Sequence, residues 1–427
     1  MERVRRMAAA CAAVVLATVA FGQDAGAGGF AIREQSAAGL GASYAGVAAG
    51  GSPASMFWNP ATMTQVRGLV TELDAALIFP KVEQTGFGAL NALGYTGTID
   101  NSGEQAFVPS SYTSWQLNER FWIGLSINSP FGLSVGFGNP AWVGAAYGQS
   151  TVLQSYNAAP SVAFKVNEWL SVGAGAQMQF ARANLMSLNT AVGGPNLFIL
   201  NGDGWGWGFT AGATLTPTPT TRIGVGYRSQ IDQEISGILT GIGGATTPGP
   251  IETTLYLPDM ISVGLRQGLG AGWTLLGTFE WTNWSRIGTS RVTQQNGAPA
   301  RAASGAVIAL PFEYDDGYFY SGGVEYDINT KWTLRAGFGY EQSPIVDRVR
   351  TPRLPDNDRY WYSFGATNRI TERIVFDFGY SYIDVKDTPI NITAASGSPW
   401  FAGGIAYTGT ASSHVHILSF GAKYRWN

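Results

Sequence analysis

The chain has 427 residues, of which 13% are charged, 13% are aromatic and 57 are glycine, with a net charge of −3. The charged share is about half the roughly 25% of soluble globular domains, and no stretch beyond the N-terminus offers the about 20 consecutive apolar residues of a helical membrane span. Soluble enzymes, helical membrane proteins and basic nucleic-acid binders are thereby excluded. What fits is a chain that spreads its apolar residues thinly over strands, alternating lipid-facing with lumen-facing side chains.

The first residues form an export signal. Arg3, Arg5 and Arg6 supply a positive region, Met7 through Phe21 a short apolar run, and Ala25-Gly26-Ala27 a small-residue cleavage site. Cleavage is expected after Ala27, with the end of Ala20-Phe21-Gly22 as the alternative. The single cysteine, Cys11, falls inside this signal. The apolar run before it is too short for a lipoprotein signal, so the mature chain is expected to have no thiol chemistry. Residues 28–67 follow a different pattern. Gln35 to Gly46 is rich in Ala, Gly and Ser and lacks alternation. Such a segment either hangs in the periplasm or fills a lumen; its apolar character predicts a plug, because a wide barrel needs filling.

From residue 68 on, the period is two. Trp332, Leu334, Ala336, Phe338 and Tyr340 alternate with Thr333, Arg335, Gly337 and Gly339. Ile374, Phe376, Phe378, Tyr380 and Tyr382 alternate with Val375, Asp377, Gly379 and Ser381, and Leu418, Phe420, Ala422, Tyr424 and Trp426 with Ser419, Gly421, Lys423 and Arg425. The second set is too polar for a packed core, so the aromatic face is read as facing lipid and the polar face as lining a lumen. Short polar turns at Asn118 to Arg120, Asn167-Glu168, Thr216 to Thr221, Leu269 to Gly272, Asp327 to Lys331 and Thr371-Glu372 alternate with longer stretches such as Gly136 to Gln149, Ser187 to Gly204, Gly241 to Pro250 and Thr388 to Ser413. Six turns joining strand pairs, with one further strand at each end, predict an all-β, 14-stranded antiparallel transmembrane barrel. Its first strand is placed near Leu69 to Phe79 and its last near Val415 to Trp426.

Some residues stand apart from this pattern. Phe131, Leu133, Val135, Phe137, Trp142, Val143 and Tyr147 are too apolar for a loop in water. They are expected to fold onto Leu197, Phe198, Ile199 and Leu200 as an outer groove, or else to touch lipid. Gly132-Leu133-Ser134-Val135-Gly136 matches a Gly-x-Ser-x-Gly elbow but lacks the following helix and a histidine partner. His414 and His416 are read as interface residues of the last strand; a shared metal would need further ligands. No catalytic residue, metal or cofactor is expected.

Several stretches resemble the FadL/TodX-type outer-membrane transporters of hydrophobic compounds. Gly28-Gly29-Phe30 through Gly39-Leu40-Gly41 and Tyr44-Ala45-Gly46 resembles the family's hatch, and Asn59-Pro60-Ala61 matches its Asn-Pro-Ala motif. The run Asn201 to Gly208, Tyr227-Arg228-Ser229, Leu257-Pro258-Asp259 and, most specifically, Pro355-Asp356-Asn357-Asp358-Arg359-Tyr360-Trp361 also fit, in order along the mature chain. The resemblance implies a fourteen-stranded barrel plugged by an N-terminal hatch. It implies passive uptake of long-chain fatty acids or related molecules by a monomer seated among lipid and lipopolysaccharide. Ligand would be captured between outer loops, move to a deeper apolar pocket and leave sideways through the wall.

The resemblance also implies site residues. Arg182, in Ala181-Arg182-Ala183, corresponds to a head-group arginine, although its parity with Phe180 and Met178 points it to lipid unless a bulge intervenes. Phe30 would sit beside the deep pocket, and Arg291 or Arg301 would supply a second cation there, unless both merely solvate a loop. Pro130, beside Asn59-Pro60-Ala61, would mark an inward kink that opens the wall; the alternative is a proline that ends its strand. Two other functions compete. An aqueous porin would lack an apolar plug, and an adhesin or hydrolase would rest on outer loops or a nucleophile that the sequence does not assemble.

Overall fold

The computed structural model describes residues 29–189, 196–241, 248–301, 307–403 and 405–426. The expected signal, its cleavage positions and Cys11 lie outside them. Fourteen antiparallel strands close into one barrel. They are β1 (Leu69–Gly88), β2 (Ala106–Gln116), β3 (Phe121–Asn128 and Gly132–Gly136), β4 (Ser150–Lys165), β5 (Leu170–Asn189), β6 (Asn196–Thr218) and β7 (Thr221–Arg228 and Ile231–Gly241). Then come β8 (Gly249–Leu257 and Met260–Gly270), β9 (Trp273–Thr282), β10 (Gly317–Asp327), β11 (Trp332–Gln342), β12 (Arg359–Arg369), β13 (Ile374–Ile392) and β14 (Tyr407–Arg425). Pairing of β1 with β14, from Val70 opposite Arg425 to Gly88 opposite Tyr407, removes the free sheet edge.

Alternation sets the two faces. Phe338, Phe364, Phe376, Phe378 and Phe420 are exposed outward, while Ser363, Asp377, Ser381 and Ser419 are buried inward. The six short turns sit where expected and mark the periplasmic end. The strands run further outward than the sequence suggested. β1 reaches Gly88, β13 reaches Ile392, and Leu197 to Leu200 lie in β6 rather than in a loop. Likewise Leu133 and Val135 belong to the second half of β3, because their side chains alternate with backbone paired to β4.

The N-terminal segment fills the lumen. It consists of the helical turn Ala37–Leu40, capped by Ser36, and the 3-10 turns Val47–Ala49, Pro53–Phe57 and Pro60–Gln65. Its small residues allow backbone to lie directly against the inward glycines of the wall. Gly41 meets Gly365, with room for no Cβ at 2.7 Å, and Ala42 meets Gly337. The carbonyls of Ala48 and Trp58 face Gly224 and Gly226, Asn59 faces Gly212, and Pro60 and Ala61 face Gly173.

Wall side chains complete the seat. The Ala37 amide donates to Asp74 (3.0 Å), the Ala54 amide to Glu72 (2.8 Å) and the Gly46 amide to Thr278 (2.9 Å). Beneath the hatch, lumen charges neutralise one another: Lys423 lies 2.7 Å from Asp377 and 3.6 Å from Glu72, while Arg335 and Arg266 both reach Glu325. Buried charge is tolerated here because each of these ions has an oppositely charged partner.

Side chains at the wall glycines should therefore evict the plug while sparing the ladder. Gly224→Val combined with Gly226→Val is expected to leave a folded barrel, judged by heat-modifiable gel mobility, with raised single-channel conductance in planar bilayers. Unchanged conductance in the double variant would show that the plug does not depend on these contacts.

Candidate functional site

Two cavities lie stacked above the hatch. The upper one is almost wholly apolar. Leu133, Leu153, Ala183, Leu200, Ile235 and Leu255 of the wall enclose it, closed by Leu310, Phe312 and Tyr314 after β9 and by Ile345, Val349, Leu354 and Trp400 of outer loops. Its floor is Phe30 of the hatch. Phe30 packs edge-to-face on Trp284 (4.8 Å between ring centres), within 6.2 Å of both Phe131 and Phe312. Phe131 and Trp284 in turn roof the lower cavity, so one aromatic cluster partitions the two.

The upper cavity holds one charged residue, Arg353, from the loop between β11 and β12. Its Nε donates to the carbonyl of Tyr147 (3.0 Å) and Nη1 to that of Ser150 (3.1 Å) and to the Thr151 hydroxyl. Among the described residues no carboxylate pairs with it. Burial lowers its pKa to about 10, which leaves it a cation at neutral pH. Two further polar atoms on the same cavity, Ser290 Oγ and Trp400 Nε1, are buried without a hydrogen-bond partner. Such atoms are costly unless something binds them.

The lower cavity sets charged residues among aromatic and aliphatic ones. Arg33 of the hatch lies 2.5 Å from Glu280 and 3.3 Å from Glu341 and stacks over Phe319 at 3.8 Å. Arg228 stacks on Phe57 at 4.2 Å and donates to the Phe57 carbonyl (3.0 Å) and to Gln177, with no ion pair among the described residues. Beside Arg33, Glu34 is buried, and burial pushes its pKa up to about 7, with Glu341 adding to the rise and Arg33 and Arg359 opposing it.

The wall itself is interrupted at this level. β2 and β3 pair only as far as Ser111 opposite Ile127. At Ser129 to Phe131 the β3 ladder breaks, because Pro130 has no N–H to donate. The hatch substitutes: the Ile32 amide donates to the Pro130 carbonyl (2.8 Å), and the Gly132 amide donates to the Phe30 carbonyl (2.9 Å). Ser155 accepts from the Phe131 amide (2.9 Å) and donates to its carbonyl (2.6 Å). Next to the break, both polar atoms of the Asn128 amide are buried and unpartnered.

These positions sort the sequence-predicted residues. Phe30 and Leu133 line the upper cavity, and Pro130 and Phe131 the lower. Trp142, stacked on Phe137 at 4.2 Å, packs in the same apolar cluster as Phe30 and Leu133, and Phe198 in a neighbouring one, without lining either cavity. Asn59, Pro60 and Ala61 do not lie at Pro130 but against Gly173 and Gly212, where Asn59 bridges Ala48 and Ala213. Arg182 is exposed on the outer face of β5, as its even parity dictates, while Ala181 and Ala183 face inward; no bulge reverses it. Arg291 and Arg301 are exposed and do not line either cavity. Sequence reasoning missed Arg353 and left Arg228 inside a motif without a role. The only signal was the apolar set Ile345, Val349 and Leu354 around an arginine in a loop. Ser134, in the false elbow, donates to Glu104 at 2.5 Å within β3. His414 and His416 face outward against Tyr382, and His416 also meets the Tyr380 hydroxyl (2.9 Å).

Comparison with known proteins places the chain among relatives of similar length. The family described as "Outer membrane protein transport protein (OMPP1/FadL/TodX)" matches residues 17–426. The long-chain fatty acid transport protein of Salmonella typhi is 28% identical over 89% of this chain and 92% of its own. Outer membrane protein P1 of Haemophilus influenzae is 26% identical over 85% and 87%. Among solved structures, a Pseudomonas aeruginosa FadL homologue superposes with a TM-score of 0.83 at 23% identity, covering 94% of this chain and all of that one. The Ralstonia pickettii toluene transporter TbuX gives 0.68 at 19% identity, covering 92% of this chain and all of that one.

The buried Glu34 sets a pH dependence for the hatch. Its folded pKa is raised, so the folded state binds more protons than the unfolded one between the ordinary 4.5 and about 7. The associated stability is full below that window and is lost as pH rises through about 7. Hydrogen exchange at hatch amides is expected to be better protected at about pH 5.5 than at about pH 8, after correction for intrinsic rates. Glu34→Gln should flatten the difference; an unaltered pH profile in that variant would assign the effect to other groups.

Proposed function

The chain belongs to the OMPP1/FadL/TodX family of outer-membrane transport proteins and is a multi-pass β-barrel of the outer membrane; on that premise we propose that it takes up long-chain fatty acids or similar amphiphiles. The upper cavity receives the molecule. The carrying observation is a half-buried arginine, Arg353, with no carboxylate partner among the described residues, in an otherwise apolar chamber. A carboxylate entering there neutralises it, and Ser290 and Trp400 offer further donors. The acyl tail replaces apolar side-chain contacts among Leu133, Leu153 and Leu255.

Size constrains the mechanism. The upper cavity is about 80 Å³, below the ~150 Å³ of an apolar cavity that admits benzene. A long chain therefore enters only as outer-loop residues such as Ile345, Val349 and Trp400 move aside. Onward passage requires the aromatic partition of Phe30, Phe131 and Trp284 to part. The interrupted wall at Pro130, where hatch backbone at Phe30 and Ile32 stands in for β2, then supports a sideways exit between β2 and β3, and Asn128 would meet the passing head group. The same motion of Phe30 would open the partition and release the wall. An aqueous porin is disfavoured by a lumen packed with hatch residues such as Leu40, Tyr44 and Trp58, each 1% exposed or less.

Arg353→Ala is expected to weaken binding of a long-chain carboxylate by roughly ten- to a hundredfold, as a charge-assisted hydrogen bond worth about 1.5–3 kcal/mol is lost. Binding of an uncharged hydrocarbon of similar length should barely change. Arg353→Lys, which keeps the charge, should recover part of the carboxylate affinity. Calorimetry in maltoside micelles reads all three, and equal losses for acid and hydrocarbon would mean that Arg353 only braces the loop.

A further inference from the structure

The periplasmic mouth carries an excess of positive charge that the transport route does not use. Below the hatch lies an open cavity of about 410 Å³, whose inner wall is the hatch loop Gly51-Ser52-Pro53 with Gln65 and whose rim is built by the ends of the strands. Deeper in, Arg266 is matched by Glu325, as described above. The rim is different. Arg67, Arg222, Arg373 and Arg425 all line the cavity, and none has an ion-pair partner among the described residues. Glu372 is the one carboxylate on the lining.

The ladder forces like charges together. Arg222 and Arg266 stand directly opposite each other on β7 and β8, a placement that destabilises a sheet when both residues are cations. Gln65 of the hatch relieves part of it by accepting from Arg222 at 2.5 Å. Arg425 and Arg373 are joined through backbone, the Arg425 amide donating to the Arg373 carbonyl at 2.9 Å. Four unmatched guanidinium groups around one concave opening focus a positive potential. Their planar forks suit phosphate oxygens two at a time.

We propose that the periplasmic mouth is a binding site for a small polyanion bearing phosphate groups, held between the strand ends and the underside of the hatch. The cavity has room for a molecule well beyond a single ion. Occupancy would relieve the repulsion between Arg222 and Arg266 and, through Gln65 and Ser52, steady the hatch from below. The phosphate comes either from a free periplasmic compound or from the head group of an anionic phospholipid in the inner leaflet.

Calorimetric titration of the full-length mature protein with inorganic pyrophosphate tests this, in uncharged maltoside micelles at low salt. Saturable binding is expected, weakened roughly tenfold by Arg373→Gln with Arg425→Gln, weakened further by Arg373→Glu, and reduced at high salt. Both residues are exposed at the rim, so the barrel should fold, and unchanged hydrocarbon binding in the upper cavity confirms it. Repeating the titration in nanodiscs separates the sources. Weaker pyrophosphate binding in phosphatidylglycerol discs than in phosphatidylcholine discs identifies the lipid head group as the resident ligand, and equal binding identifies a free polyanion. No saturable binding in micelles, or equal affinity in wild type and variants, overturns the proposal.

Discussion

Everything in this molecule depends on how a peptide backbone can be packed inside a closed sheet. A lumen lined by ordinary side chains would hold a plug at a distance and leave its amides and carbonyls without partners, and buried backbone groups are rarely tolerated unpaired. Glycines at inward positions of β5, β6, β7, β11 and β12 remove that barrier, bringing the hatch within van der Waals reach of the wall. Asp74, Glu72 and Thr278 then supply the hydrogen bonds that water would otherwise provide. The abundance of glycine thus reflects one geometric demand.

The hatch is more than a stopper, because it completes the wall. Where Pro130 interrupts β3, the backbone of Phe30 and Ile32 stands in for a neighbouring strand. The side chain of Phe30 meanwhile floors the apolar chamber. One short segment therefore touches the chamber, the break and, through Arg33 and Glu34, the buried charges below. On the proposed route, displacement at one of these points would carry to the others through this segment.

Much of this was legible in the sequence. Strict alternation in β11, β13 and β14 revealed both faces, since an aromatic set opposed by Arg, Asp, Lys and Gly fits only a barrel with a polar lumen. The short turns were legible because Asn-Glu and Thr-Glu pairs punctuate the pattern. The outer ends of the strands were not. Beyond the bilayer the lipid-facing requirement lapses and the alternation changes sense: after a register shift between Val385 and Thr388, Ile390 and Ile392 turn inward while Pro389 and Asn391 are exposed. The inward direction that the resemblance implied for Arg182 fails for a related reason. Arg182 matches a motif by its neighbours, but period two fixes its direction, and its partners Gln154 and Asp203 keep the register unbroken. Arg353 instead comes from an irregular loop, where no period announces which way a side chain points.

The Ser43 hydroxyl donates to that of Ser363, a partner 320 residues further along the chain, and Gly41 rests on Gly365. The hatch precedes the barrel strands in the chain, yet part of its seat is made by β12, some 320 residues further on. Its seat is incomplete without β12 and β13. Seating of the plug and closure of β1 on β14 therefore both join residues far apart in the chain. Contacts of such long sequence separation make folding slow, and a chain that lost its C-terminal strand would forfeit both the seal and the object sealed within.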